Sequence, residues 1–273
     1  MPFVTTADKT ELYYNDWGHG RPIVLIHGWP LSSSMWEYQV EGLVEAGFRV
    51  VAYDRRGFGK SSQPYSGYDY DTLADDLKVV LDHLELDDAV LVGFSMGGGE
   101  VARYMSRHSG ERVGKVALVS AVPPYLLKGD DNPDGVDGAI FDQIIEGLRT
   151  DRPNFLYSFS KSFFNAGMLN FQISDETRQQ FLIEGLKASA KATIDCVKAF
   201  GRTDFRQDLR RFDVPTLVIH GDADQTVPID ASGKRVPAMV PGAELKVYPG
   251  APHALTFTDK EKLTADLATF ARN

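Results

Sequence analysis

The sequence predicts an α/β protein, a mostly parallel sheet with helices on both faces. Two observations carry this. Short runs rich in Val and Leu recur along the chain and are apolar throughout rather than alternating, the mark of strands buried on both faces. Helical patterns separate them, so successive strands are joined by crossovers, which are right-handed in such sheets. A chain of 273 residues, 43% hydrophobic and 25% charged, has ample material for a core. It is read as one domain over residues 1–273.

In order, strands are placed at Glu11 to Asn15, Pro22 to Ile26 (PIVLI), Arg49 to Ala52, Ala89 to Phe94 (AVLVGF), Lys115 to Ser120, Pro215 to His220 and Ala243 to Val247. Helical patterns run from Met35 to Glu45, Tyr70 to Leu84, Met96 to Arg107 and Leu263 to Ala271. The rhythm breaks over about residues 123–212, where no strand signal occurs. There Val136, Ile140, Ile144, Ile145 and Leu148 recur at helical spacing, and Ser174 before Asp175 and Glu176 makes an N-cap with an acidic first turn. The segment is rich in aromatics: Phe155, Tyr157, Phe159, Phe163, Phe164, Phe171 and Phe181. It reads as a helical cap inserted before the last two strands, since segments that cover ligands are built onto rigid scaffolds.

A net charge of −9 argues against nucleic-acid or anionic-membrane partners, which need basic patches. The single cysteine, Cys196, cannot form an intrachain disulfide and reads as a small buried filler. The stretch MPFVTTADKTELYYNDWG has neither a basic start nor an apolar core, and no apolar run approaches the ~20 residues that span a bilayer. The expectation is a mature start near Met1 and a soluble, cytoplasmic protein.

Residues 90–101, VLVGFSMGGGEV, place three glycines where a helix begins. Each costs roughly 1 kcal/mol relative to Ala inside a helix, so the run gives away about 2–3 kcal/mol. A dinucleotide loop would need its second glycine where Ser95 stands. DRRGFGKSS fails as a Walker loop because Asp54 occupies the position of the first glycine. In DDNPDGVDG, Asp130, Asn132, Asp134 and Gly135 imitate a calcium loop, but Phe141 replaces the bidentate Glu, so a solvated acidic loop is expected. What remains is Gly93-Phe94-Ser95-Met96-Gly97, a Gly-X-Ser-X-Gly between strand and helix. A sharp turn there strains Ser95, exposes its Oγ and aims the first N–H groups of the helix, led by Met96, at charge forming nearby.

A serine hydroxyl needs a base and a group to orient that base. Of six histidines, His19, His27, His83, His108 and His220 lie in turns, on helix faces or at strand ends and are given structural or surface roles. His253, in PGAPHALTF, follows the last strand, in a loop at the end of the sheet where such folds place their chemistry. GDADQTVP offers two acids, Asp222 and Asp224, in the exit loop of the preceding strand, and position alone does not choose between them.

The order Ser, Asp, His, with HGWP, DRRGFGKS, GFSMGGGE, GDADQTVP and PHAL along the chain, resembles the α/β-hydrolase superfamily over nearly its whole length. More narrowly, His27-Gly28-Trp29-Pro30 with GFSMGGGE resembles the bacterial arylesterases also called metal-free haloperoxidases or perhydrolases. The resemblance implies Asp224 as the acid of a Ser95-His253-Asp224 triad and leaves Asp222 a structural role. It also implies an oxyanion hole from the Trp29 and Met96 N–H groups, with Pro30 fixing the backbone after Trp29 and so the shape of the acyl pocket. Trp29, Phe94, Met96 and the cap aromatics themselves suggest a compact apolar pocket for small acyl groups on aryl or alkyl alcohols. Asp54, Arg55 and Arg56 fall in a scaffold motif. Peroxide is expected to replace water in part of the chemistry, and no cofactor or metal is implied. An amidase or lactamase with the same triad, or a small-molecule receptor of this fold, remains the alternative, and assembly into a homo-oligomer is left open.

Overall fold

The computed structural model describes residues 2–167 and 173–273, so Met1 and Phe171 lie outside the described residues. The chain runs β1 (Phe3–Thr5), β2 (Glu11–Trp17), β3 (Pro22–Ile26), α1 (Glu37–Glu45), β4 (Arg49–Tyr53), α2 (Tyr70–His83), β5 (Ala89–Phe94), α3 (Met96–Arg107) and β6 (Val113–Val119). Then follow α4 (Gly138–Phe164), α5 (Asp175–Lys187), α6 (Ala190–Arg202), α7 (Arg206–Leu209), β7 (Thr216–Gly221), β8 (Glu244–Tyr248), α8 (Leu255–Thr258) and α9 (Lys260–Arg272). The sheet order is β1-β2-β4-β3-β5-β6-β7-β8, antiparallel through β1, β2 and β4 and parallel from β4 onward.

The continuous apolar runs follow from the pleat, which turns successive side chains to opposite faces. Ile23 and Leu25 of β3, Val90 and Val92 of β5, and Leu217 and Ile219 of β7 pack with Leu43 of α1 and Leu263 and Leu267 of α9. Their neighbours Val24, Ile26, Leu91 and Val218 point the other way, toward Leu73, Leu77 and Val80 of α2 and Val101 and Met105 of α3. Both faces are covered, so neither can be polar.

Three details depart from the expected elements. β1 was not anticipated, because three residues are too few to show a period, and it is held by pairing to β2. The helix expected from Met35 begins as a 3-10 turn, Ser33–Trp36, capped by the Ser32 side chain before α1 starts at Glu37. The acidic loop is solvated as expected, with Asp130, Asp131 and Asp134 exposed, but it is organised by a residue not anticipated as buried. Asn132 donates to the carbonyls of Tyr125 at 3.0 Å and Leu127 at 2.7 Å, and Arg235 donates to its side-chain oxygen.

The helices α4 to α7 fill the interval between β6 and β7. Ser174 caps α5 through a bond from the Thr177 N–H, with Asp175 and Glu176 in its first turn. α4 is kinked at Asp151, two residues before Pro153, which cannot donate to the helix ladder. Arg152 spans that kink and donates to the carbonyls of Gly185, Leu186 and Ala188 at the end of α5. Cys196 is fully buried in α6, and burial pushes its thiol up to about 12.

Beneath the carboxyl ends of the strands lies a buried ion pair between Arg55, after β4, and Glu100 of α3, both at most 1% exposed. Arg55 also donates to the His27 carbonyl at 2.6 Å, and Tyr53 donates to Glu100 at 2.7 Å. Burial alone lowers the Arg55 pKa, but the adjacent Glu100 reverses this and keeps the guanidinium charged. Burial, reinforced by that guanidinium, holds His27 neutral. Breaking a buried pair from one side leaves an uncompensated charge, so Arg55→Met is expected to cost about 3–5 kcal/mol in urea unfolding. A loss below ~1 kcal/mol would show that the pair does not tie β4 to α3.

Candidate active site

Ser95 joins β5 to α3 at φ 54° and ψ −119°, a conformation that costs a non-glycine residue about 1–3 kcal/mol. The surrounding contacts hold it there. Its N–H donates to the Val119 carbonyl at 2.9 Å, and its carbonyl accepts from Gly98 at 3.0 Å and Val122 at 3.2 Å. The glycines permit this turn by close approach. A Cβ at Gly93 would stand 2.7 Å from the Gly97 carbonyl oxygen, and one at Gly97 only 2.5 Å from that of Ile26. At Gly98 it would meet Ala121 Cβ at 2.4 Å, and at Gly99 the Tyr70 ring at 2.6 Å and the Phe205 ring at 2.7 Å. All three helical glycines therefore serve packing around the turn.

His253 lies in the loop between β8 and α8, with its ring against Phe94 and Phe163 at centroid distances of 5.0 Å and 5.2 Å. Its Nε2 stands 2.9 Å from Ser95 Oγ and its Nδ1 2.6 Å from Asp224 Oδ2. A carboxylate only accepts, so Nδ1 carries the proton and Nε2 is left to accept from the serine hydroxyl. Asp224 sits in the exit loop of β7, where its Oδ1 accepts from the N–H groups of Thr226 and Val227, both at 2.8 Å. Burial works to raise its pKa, but His253 and His220 beside it prevail and hold the carboxyl well below the usual range.

Asp222 is exposed and accepts from the Gly250 N–H at 2.5 Å, fastening the β7 exit loop to the loop that carries His253. His220, given a structural or surface role from sequence, is fully buried with Nε2 3.3 Å from Asp224 Oδ2. The signal for it was its place four residues before Asp224, at the end of the same strand. The other histidines stand elsewhere: the His27 Nε2 accepts from the Arg55 N–H at 3.0 Å, and His108 meets Asp75 at 2.8 Å.

The exit loop of β3 runs against Ser95, so that a Cβ at Gly28 would be 3.1 Å from Ser95 Cβ. Among the described residues, the backbone N–H groups of Trp29 and Met96 donate to no protein acceptor. Trp29 is buried, and its indole N–H is fixed by the Thr193 carbonyl of α6 at 3.0 Å.

A cavity of about 310 Å³ opens onto Ser95. Its walls are largely apolar, with Trp29, Val122, Phe141, Phe155, Phe159 and Phe200 among them, and Thr226 and Ser162 adding hydroxyls. The two residues expected to shape the pocket, Pro30 and Phe94, are not in its lining. Phe94 points into the core, fully buried between Trp36, Phe163 and the His253 ring, because the β5 pleat puts it on the same face as Val90 and Val92. Pro30 is buried toward Gly185 of α5. Of the aromatics in the inserted helices, Phe141, Phe155, Phe159 and Phe200 line the cavity, while Phe163, Phe164 and Phe181 fill the core and Tyr157 stacks on Arg178.

A profile of the family described as alpha/beta hydrolase fold matches residues 21–260. A non-heme chloroperoxidase of Kitasatospora aureofaciens is 46% identical over 99% of both chains. A bifunctional esterase/perhydrolase of Acinetobacter calcoaceticus is 40% identical over the full length of both. Among solved structures, a bromoperoxidase from Bacillus anthracis superposes with a TM-score of 0.96 at 48% identity, covering 99% of each chain.

If the glycine packing sets the serine, Gly99→Ala is expected to cost about 1–3 kcal/mol through overpacking against Tyr70 and Phe205. Labelling of Ser95 by a fluorophosphonate should slow in the same variant. An unchanged melting temperature and labelling rate would show that the two rings move aside freely.

Proposed function

Because the chain belongs to the α/β-hydrolase fold family, we propose that it hydrolyses small carboxylic esters at Ser95 and transfers the same acyl group to hydrogen peroxide. The observation that carries this reading is Ser95 Oγ, 2.9 Å from the accepting nitrogen of a histidine whose other nitrogen is bound to a buried carboxylate.

His253 takes the hydroxyl proton as Ser95 attacks the ester carbonyl, and Asp224 holds the ring in the required tautomer and stabilises the imidazolium. The tetrahedral oxyanion is met by the N–H groups of Met96 and Trp29, a single such donor being worth about 2.7–4 kcal/mol. His253 then returns its proton to the departing alcohol and leaves an acyl-enzyme. Water, deprotonated by His253, attacks the acyl carbon and releases the carboxylic acid. Hydrogen peroxide in its place releases a peracid, which oxidises halide in solution. The names of the chloroperoxidase and esterase/perhydrolase relatives support this second outcome. Helices α4 to α7 serve as the cap over the cavity, and its apolar walls favour uncharged acyl and aryl groups.

Phenyl acetate turnover tests the reading. Ser95→Ala is expected to lose at least about 10³-fold in kcat, and Asp224→Asn about 10³–10⁴-fold through loss of the tautomer. Equal rates for wild type and Ser95→Ala would overturn it, slow turnover ending in a stably modified protein would favour a receptor, and an unchanged product spectrum with peroxide would remove the perhydrolase part. Asp224 stays ionised well into acid, so its own protonation is not expected to shape kcat/KM at mildly acidic pH.

A further inference from the structure

We infer that His220 is a positioning residue for acyl transfer, acting on Asp224 through an imidazole N–H set 3.3 Å from the oxygen that accepts from His253. The inference rests on the acyl-transfer reading above.

The His220 ring is fully buried near the end of β7. Its Nε2 stands 2.9 Å from the Val227 carbonyl oxygen and 3.3 Å from Asp224 Oδ2. Both partners only accept, so Nε2 carries the proton, which it donates to the Val227 carbonyl while standing beside the Asp224 carboxylate. Turning the ring over would set a carbon against both acceptors. The opposite nitrogen, Nδ1, has no hydrogen-bond partner among the described residues and faces Gly233, where a Cβ would come within 2.7 Å of it. A nitrogen without a proton tolerates that place better than a buried, unpaired N–H would.

The contacts close a ring. His220 donates to the Val227 carbonyl, Val227 N–H donates to Asp224 Oδ1, and His220 reaches Asp224 Oδ2. The carboxylate is thereby fixed at both oxygens, with Oδ2 turned to His253 Nδ1 at 2.6 Å. Asp224 is the ionisable side chain in contact with His220, and His253 lies beyond it on the same oxygen. Gly233 covers the far side of the ring, and Val247 is its ladder partner on β8. Scaffold packing alone needs no donor aimed at this carboxylate, and Leu or Val ends a buried strand as well.

The test compares His220→Leu, which removes the donor, with His220→Gln, whose amide nitrogen reaches the same point. Rates are taken per active site, counted by fluorophosphonate labelling of Ser95. His220→Leu is expected to lose about 10-fold in kcat at nearly constant KM. Its acid limb of kcat/KM should move to higher pH, because Asp224 then shares less of its charge and favours the imidazolium more. His220→Gln should recover most of the rate, and in the Asp224→Asn background His220→Leu should change kcat by less than about 2-fold. An unmoved pH profile, equal effects of Leu and Gln, or a full 10-fold loss in the Asp224→Asn background would each overturn the assignment. Ser95→Ala, assayed alongside, separates this failure from that of the acyl-transfer reading, since a fully active Ser95→Ala removes the latter.

Discussion

The structure depends on how closely three backbone segments approach one another at Ser95. The Gly93 Cα faces the first turn of α3, the Gly97 Cα faces the Ile26 and His27 carbonyls, and Gly28 passes over the Phe94 ring. None of these distances admits a Cβ. The close approach lets β3, β5 and α3 meet at one point, with the β3 exit loop against Ser95. It also sets the strain of that serine against many contacts at once. A local cost of about 1–3 kcal/mol is small beside the burial of three elements, so the turn persists.

The same junction is locked from below by charge. Arg55 reaches the His27 carbonyl and Glu100, joining the β3 exit loop to α3, while the Tyr70 hydroxyl donates to the Met96 carbonyl at 3.2 Å. Apolar packing is tolerant of small slides, whereas a guanidinium bound in two directions is not. The pair thus fixes the spacing of two loops that the glycines merely allow to touch. Its role is geometric, since a buried ion pair is weak evidence for stability in itself.

Much of this was legible in the sequence, for a physical reason. Strands buried on both faces must be apolar throughout, so Pro22–Ile26 and Ala89–Phe94 announced their own limits. A serine between glycines at a strand end has few other uses, and that singled out Ser95. Tertiary pairing alone decided the rest. β1 exists because β2 offers it an edge, and Asn132 is buried because Arg235, distant in sequence, reaches it. Phe94 was misplaced because adjacency to Ser95 suggests proximity to substrate, while the period of β5 sets it on the core face with Val90 and Val92. His220 was missed because, as part of an apolar strand, it shows no pattern of its own; the spacing to Asp224 acquires meaning only when the exit loop folds back.

That folding back bears on how a buried carboxylate remains an anion. Moving a carboxylate out of water is opposed by several kcal/mol, and Asp224 is almost wholly enclosed. Two N–H groups of its own turn and two imidazoles replace the lost water, and together they outweigh the burial. Each donor is a fixed dipole, already oriented, which under the proposed acyl transfer needs no rearrangement when charge develops on the neighbouring ring. A solvated aspartate at the same distance would have to drag its water into place at that moment. Enclosure, which appears as a penalty for Asp224 alone, is therefore what makes its charge effective at the imidazole. The exit loop of β7, tied down by Asp222 to Gly250 and by His220 to Val227, is shaped to sustain that enclosure.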